Sequence, residues 1–271
     1  MPELPEVETT RKGVASYVLS EIVIDVVVRE SRLRWPVPKQ LKKYLMGQTI
    51  RKIDRRAKYL LFYTDTGCML LHLGMSGSLR ILDKQTPAEK HDHIDFIFDS
   101  NHCLRFRDPR RFGSVHWTKA DPNEHKLLRD LGPEPLSNNL NGDYLFQKSR
   151  TRIQAIKPFI MNSHIVVGVG NIYANEALFA AGIHPKRKAG NVSKKRYVRL
   201  SKEIKIVLNN ALEKGGTTLR DFVNGDGQPG YFRQELQIYD RAGEPCVNCN
   251  TLIKTERLGQ RSTFFCTSCQ K

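Results

Sequence analysis

Four cysteines near the C-terminal end constrain this chain more than any other feature. Cys246, Cys249, Cys266 and Cys269 form two C-x2-C pairs with sixteen residues between them. Two such knuckles can present four thiolates tetrahedrally to one Zn²⁺, and a filled shell leaves no position for a substrate. The predicted cofactor is therefore one structural zinc ion. The competing arrangement is a pair of disulfides, which a reducing cytoplasm disfavours. Cys68 and Cys103 stand alone in apolar, strand-like surroundings and read as buried small hydrophobes.

The length of 271 residues suits one large or two modest domains, with a real core that needs no disulfide staples. No apolar run approaches the roughly 20 residues of a membrane span. The N-terminus, MPELPEVETT, has no basic stretch before an apolar one and is not a secretory signal. A cytoplasmic monomer with no membrane partner is the expectation. Charge supplies the positive clue. Residues 29–60 hold eleven basic and two acidic side chains, and residues 181–220 hold the same numbers, within a chain of net charge +16. Two clusters of +9 call for a polyanion partner, with nucleic acid ahead of an anionic membrane.

The first half reads as strands after one opening helix. Pro5 can occupy the first turn of a helix over 4–18 whose inner side carries Val7, Val14 and Val18. Strands are predicted at 22–29, 48–54, 59–64, 67–73, 78–82, 94–98, 103–107 and 114–118, with a short basic helix in PKQLKKYL. Such a run suits a two-sheet sandwich. GPEPLSNNLNG, residues 132–142, reads as a linker. Beyond it the pattern turns helical. A helix over 171–182 ends at Gly182, and one over 194–214 carries Leu200, Ile204, Val207, Leu208 and Ala211 as its apolar stripe. The expected division is a sandwich domain at 2–131, a linker at 132–142, a helical domain at 143–235 and a zinc finger at 236–271.

Proline follows the initiator Met, so Met1 is expected to be removed, exposing the secondary amine of Pro2. An α-amino group has a pKa near ~7.7–8.0 against ~10.4 for lysine, so a sizeable fraction is neutral at physiological pH. Such an amine attacking a carbonyl-like carbon gives an iminium ion, an electron sink for elimination. Glu3, Glu6 and Glu8 accompany it. Each could simply complement the helix dipole, and a carboxylate beside an amine can also act as general acid or base.

These motifs occur in one order along the chain: PELPEVET from residue 2, RRAKYLL at 55–61, LHLGMSGSLR at 71–80, KHDH at 90–93, DPRRFG at 108–113, VVGVGNIYANEALF at 166–179 and the four-cysteine segment. Together they resemble the bacterial formamidopyrimidine-DNA glycosylase family over essentially the whole chain. The resemblance implies an α+β fold: an N-terminal β-sandwich flanked by helices, then a helix–two-turn–helix module with a four-cysteine zinc finger. It implies excision of oxidised purines such as 8-oxoguanine from double-stranded DNA and cleavage at the abasic site. By resemblance, Pro2 matches the Schiff-base nucleophile, Glu3 the adjacent acid, and Lys58 the lysine that assists base removal and β-elimination. Arg261 matches the arginine linked to δ-elimination, and Glu6 a residue near the lesion base. His91, Arg110, Arg152 and Asn171 match DNA contacts. Met75, Arg110 and Phe112 match the side chains that fill the gap left by the flipped base, although Met75 and Phe112 taken singly would suit a core. Asn171, after Gly168 and Gly170, also suits an ordinary helix N-cap. Thr217, Thr218, Leu219 and Arg220 open a stretch, Thr217–Gly227, that matches the loop closing over the extruded base.

Two alternatives remain at this point. One is an endonuclease VIII-like enzyme for oxidised pyrimidines, against which the leucine of PELPE and the LGMSG segment speak. The other is a zinc-ribbon DNA-binding protein without activity, against which the joint presence of Pro2, Glu3, Lys58 and Arg261 speaks.

Overall fold

The structure is a computed structural model that describes residues 2–215 and 236–271. Two compact units divide at the Arg129–Asp130 peptide.

The first unit opens with helix α1, Leu4–Val18, with proline in its first turn. Val7, Val14 and Val18 are buried on its inner side. Eight strands follow: β1 Val23–Val28, β2 Lys52–Arg56, β3 Tyr59–Tyr63, β4 Cys68–His72, β5 Ser78–Asp83, β6 Asp92–Phe98, β7 His102–Arg107 and β8 Ser114–Thr118. A short helix, α2, Leu41–Leu45, separates β1 from β2. The strands form two antiparallel four-stranded sheets, ordered β1-β6-β7-β5 and β2-β3-β4-β8. Alternate residues of each sheet, among them Phe96, Phe98, Leu104 and Phe106 from one and Ile53, Leu60, Phe62 and Leu71 from the other, share a single core. Each such side chain contributes roughly 1.5–3 kcal/mol of burial, so the two-sheet sandwich needs no covalent tie.

One strand starts later than the sequence suggests. The expected strand at 48–54 is observed as Lys52–Arg56. Ile50 instead exchanges backbone hydrogen bonds with Ser20 and Glu21, and the ladder to β3 begins only at Lys52. Cys68 and Cys103 are buried, and burial pushes both thiols up to about 12, which leaves them inert.

The second unit is helical: α3 Gly142–Ser149, α4 Ile156–Met161, α5 Asn171–Ala181 and α6 Lys194–Glu213. The expected linker has little regular structure, yet it packs. Leu140 is fully buried in the helical core, and Gly132 N–H donates to the Ser163 carbonyl. Helix α5 ends at Gly182 in the left-handed region, φ 69°. It is buried on nearly all sides rather than along one face. Helix α6 is amphipathic, with Ser193 accepting from Arg196 N–H as its N-cap and Leu200, Ile204, Leu208 and Ala211 inward. Lys195, Arg199 and Lys202 are exposed. The chain then closes on a hairpin, β9 Lys254–Leu258 and β10 Arg261–Phe265, flanked by the cysteine pairs. Among the described residues, no helix is long and apolar enough to cross a membrane.

Candidate catalytic and nucleic-acid site

At the start of α1, Pro2 is buried and Glu3 is 2% exposed at the N-cap position. Glu6, equally buried, reaches back so that its Oε2 accepts from Glu3 N–H at 2.8 Å. That is a helix-capping contact, so Glu6 fixes the backbone that carries Pro2 and Glu3. Glu8, one turn on, accepts from Arg11 at 2.8 Å and from Arg55 at 3.1 Å. Burial works against its charge, but the two guanidinium groups outweigh it and hold the carboxyl below its ordinary value. Glu3 and Glu6 thus share the buried start of α1, while Glu8 is tied to two arginines.

Lys58 lies in the two-residue turn Ala57–Lys58 that joins β2 to β3, not within a strand. Ala57 takes φ 55°, the positive value that tight hairpins require of a central residue. Arg55 braces this turn by donating to the Ala57 carbonyl at 2.8 Å. Next to Lys58, Tyr59 is directly paired with His72 on β4. Burial first, then the charges of Lys58 and Arg34, pushes His72 down to about 4. The imidazole is neutral at physiological pH. Its Nδ1 accepts from Gly74 N–H at 2.9 Å, so Nε2 carries the proton.

Met75 sits in the β4–β5 loop, and Arg110 and Phe112 sit in the β7–β8 loop. None of the three belongs to the sandwich core. Phe112 is 42% exposed, and the Arg110 guanidinium stands 5.0 Å from its ring centroid. All three line a cavity of about 700 Å³ together with His72, Arg32 and Arg34. His91 precedes β6 at φ 78°.

In the second unit, Gly168 takes φ 78° and Gly170 is the N-cap of α5. Asn171 is therefore the first helical residue, and the ordinary N-cap role falls to Gly170. The Asn171 Nδ2 donates to the Ser262 carbonyl at 3.1 Å, while the buried Asn171 Oδ1 has no partner. Arg152 is exposed in the turn after α3. Arg261 is exposed at the start of β10. Thr217, Thr218, Leu219 and Arg220 lie outside the described residues.

Three buried polar residues that sequence reasoning passed over hold the zinc-finger segment, two at its hairpin and one at the stretch that leads into it. Lys157 donates to the Ser262 carbonyl at 2.8 Å and to Thr263 Oγ1 at 2.7 Å. Asn175 Oδ1 accepts from Phe264 N–H at 2.9 Å. Glu176 accepts from the N–H groups of Gln237, Ile238 and Tyr239. The available signal was the polar pair Asn175–Glu176 inside an otherwise alanine-rich helix. The four cysteine sulfurs all lie within 4.8 Å of one another. Zn–S bonds of about 2.3 Å put tetrahedral sulfurs about 3.8 Å apart. The Cys246–Cys269 and Cys249–Cys266 distances of 3.9 and 3.4 Å fit that geometry.

Family models match three stretches: the formamidopyrimidine-DNA glycosylase N-terminal domain over residues 1–115, its H2TH domain over 131–223, and the zinc finger found in FPG and IleRS over 243–271. The chain belongs to the formamidopyrimidine-DNA glycosylase family. Among curated members, the protein so named from Nitrosococcus oceani is 55% identical over 270 residues, and that from Pseudomonas aeruginosa is 57% identical over 271, each covered completely. The crystal structure of MutM (Fpg) from Thermus thermophilus is 34% identical with a TM-score of 0.89, covering 99% of this chain and 98% of that one. Lactococcus lactis Fpg in complex with abasic-site DNA is 33% identical with a TM-score of 0.92 over the whole of both chains. The α+β architecture is that of this glycosylase family, and its finger holds one structural zinc ion on Cys246, Cys249, Cys266 and Cys269.

Proposed function

We propose that this chain is a base-excision glycosylase and lyase that removes oxidised purines from duplex DNA and then cleaves the strand at the abasic site. The observation that carries the reading is the mouth of α1, where Pro2 and a buried Glu3 sit on a backbone held by Glu6. Similar proteins are named formamidopyrimidine-DNA glycosylase, and Lactococcus lactis Fpg has been solved with abasic-site DNA and with Fapy-dG DNA.

A base inside a duplex is out of reach of an amine, so it must be flipped, at a cost of a few kcal/mol. Met75, Arg110 and Phe112 offset that cost by filling the gap it leaves. His91, Arg152 and Asn171 take phosphates, and the basic clusters supply salt-dependent affinity. Glu6 faces the extruded base, and contacts to that base are also assigned, by resemblance alone, to Thr217, Thr218, Leu219 and Arg220, which lie outside the described residues. The neutral amine of Pro2, exposed once Met1 is removed, attacks C1′ as the base departs with a proton. Glu3 moves the proton on the sugar ring oxygen as the ring opens. The resulting iminium withdraws electrons from C2′, a base removes the C2′ proton, and the 3′-phosphate leaves. A second elimination expels the 5′-phosphate, with Lys58 assisting the first steps and Arg261 the last. No redox partner enters this balance. All of these residues belong to one chain, so a monomer suffices, working on the nucleoid in the cytoplasm.

Borohydride trapping on an 8-oxoguanine duplex tests the reading. A covalent adduct at the N-terminal peptide is expected, together with an intact mass lacking Met1. A chain with a free Pro2 amine that gives no adduct would sink it.

A further inference from the structure

Asp108, the first residue of DPRRFG, is completely buried. A buried carboxylate is costly unless its oxygens are satisfied. Among the described residues no cation pairs with it. It is satisfied by a hydroxyl and backbone N–H groups, and each comes from a segment proposed above to touch DNA. Oδ1 accepts from the Ser76 hydroxyl at 2.7 Å, beside Met75, and from Arg110 N–H at 3.3 Å. Oδ2 accepts from Gly113 N–H at 2.7 Å, beside Phe112. Ser76 Oγ in turn accepts from Arg110 N–H at 3.2 Å. The main chain of Asp108 is used the same way. Its N–H donates to the His91 carbonyl at 3.0 Å, and its carbonyl is 2.8 Å from His93 Nε2.

The two loops bridged by this carboxylate also touch backbone to backbone. A Cβ on Gly74, which takes φ 70°, would fall 2.4 Å from Gly113 N. Neither loop can shift far without the other. Arg110 and Phe112 are exposed and Met75 is only partly buried where they line the cavity, so packing alone does not hold them.

We infer that Asp108 is the positioning residue that locks the β4–β5 and β7–β8 loops into one wedge, setting the spacing of Met75, Arg110 and Phe112 for insertion into the base stack. This rests on the proposed function. Asp108 touches neither substrate nor reacting atoms. Its effect is confined to the step in which a base leaves the stack, because a wedge held in register replaces lost stacking only if its parts arrive together. A preformed abasic site has no base to expel and depends on this step less.

The test compares wild type, Asp108→Asn and Ser76→Ala. Asp108→Asn keeps the size but turns an NH2 toward at least one donor, leaving a buried clash of donors. Ser76→Ala removes one bridge and is mild enough to fold. Three readouts are taken: excision of 8-oxoguanine opposite cytosine and opposite adenine, borohydride trapping at a preformed abasic site, and fluorescence of 2-aminopurine opposite the lesion as a probe of unstacking. Asp108→Asn should lose at least tenfold in excision opposite cytosine, lose the preference between opposite bases, and lose the fluorescence rise, while trapping stays within about threefold of wild type. Ser76→Ala should move several-fold the same way. Equal losses in excision and trapping, or a folded Ser76→Ala with wild-type excision and opposite-base preference, would overturn the inference. Wild type that fails to trap would instead strike at the proposed function.

Discussion

Arg55 joins Glu8 to the turn that carries Lys58. Its Nε donates to Glu8 at 3.1 Å, and its Nη1 donates to the Ala57 carbonyl at 2.8 Å. Helix α1 and the β2–β3 hairpin come from separate parts of the chain, and this guanidinium ties the start of the one to the tip of the other. Both partners are mostly buried, with 14% and 16% side-chain exposure, so solvent screens the pair little.

Breaking that tie should therefore cost more than a surface ion pair does. Glu8→Gln is expected to lower stability by about 1–3 kcal/mol, because two guanidinium groups lose their charge partner. It should also slow excision while leaving affinity for undamaged duplex nearly unchanged, since α1 and Lys58 would lose their common brace. Urea unfolding and single-turnover excision check both halves. Wild-type turnover in a destabilised Glu8→Gln would show that the brace serves folding alone.

The zinc finger makes a different prediction. Lys157, Asn171 and Asn175 all bond to the backbone or side chains of β10, so the hairpin is held from the helical side as well as by metal. Chelation, or Cys249→Ser, should release one zinc per chain and abolish strand cleavage. The thermal transition of the sandwich unit, whose described core from Val7 to Val115 is built from its own residues, should stay within a few degrees of wild type. Metal content unchanged in Cys249→Ser would refute the assignment of that ligand.

Much of this was legible in the chain, and the gaps have physical causes. Val23–Val28 announced itself as a short β-branched run and Ser114–Thr118 through apolar alternation, and α6 through its stripe. The start of β2 was misread because Ile50 is as apolar as a strand residue but spends its hydrogen bonds on Ser20 and Glu21. Helix α4 is six residues long with Pro158 in its first turn, where proline is tolerated yet looks like a break. The zinc hairpin is largely polar and exposed on β9, so it lacks the apolar alternation of a strand. Catalytic candidates were legible because a family motif marks them. Asp108, Lys157 and Glu176 were not, because their work is done by hydrogen bonds to residues brought near only by folding.

Two partly buried histidines make stability pH-dependent. Burial, helped by Lys58 and Arg34, pushes His72 from 6.5 to about 4, and burial with His125 and Lys126 pushes His116 to about 4. In the unfolded chain both titrate near 6.5. Between pH 6.5 and 4 the unfolded state then binds more protons than the folded one. Stability is full above pH 6.5 and drains as pH falls toward about 4. The thermal midpoint should fall by several degrees from pH 7 to pH 5, above the range where most carboxylates titrate. His116→Phe, which removes a buried ring nitrogen with no partner, should flatten that slope. A midpoint constant from pH 7 to pH 5 would contradict the assignment.

Pro2 and Glu3 should be separable. Pro2 supplies both nucleophile and iminium in the proposed mechanism, so it is needed to remove a base and to cleave at an existing abasic site. Glu3 matters most where a sugar ring has to be opened as a base departs, because a proton must reach the ring oxygen in that step. At 2% exposure, Glu3 leaves little room for water to replace it. A preformed abasic sugar already exists partly as the open aldehyde, which an amine attacks with less help. Glu3→Gln, close to isosteric at the N-cap, should therefore lose excision of 8-oxoguanine by two or more orders of magnitude, in line with removal of a general acid or base worth ~10²–10⁴ in rate. It should keep a large share of cleavage at abasic sites. A chain with its N-terminus blocked should lose both activities and the borohydride adduct. An adduct at full yield on the blocked chain would make a lysine such as Lys58 the nucleophile and remove Pro2 from the mechanism.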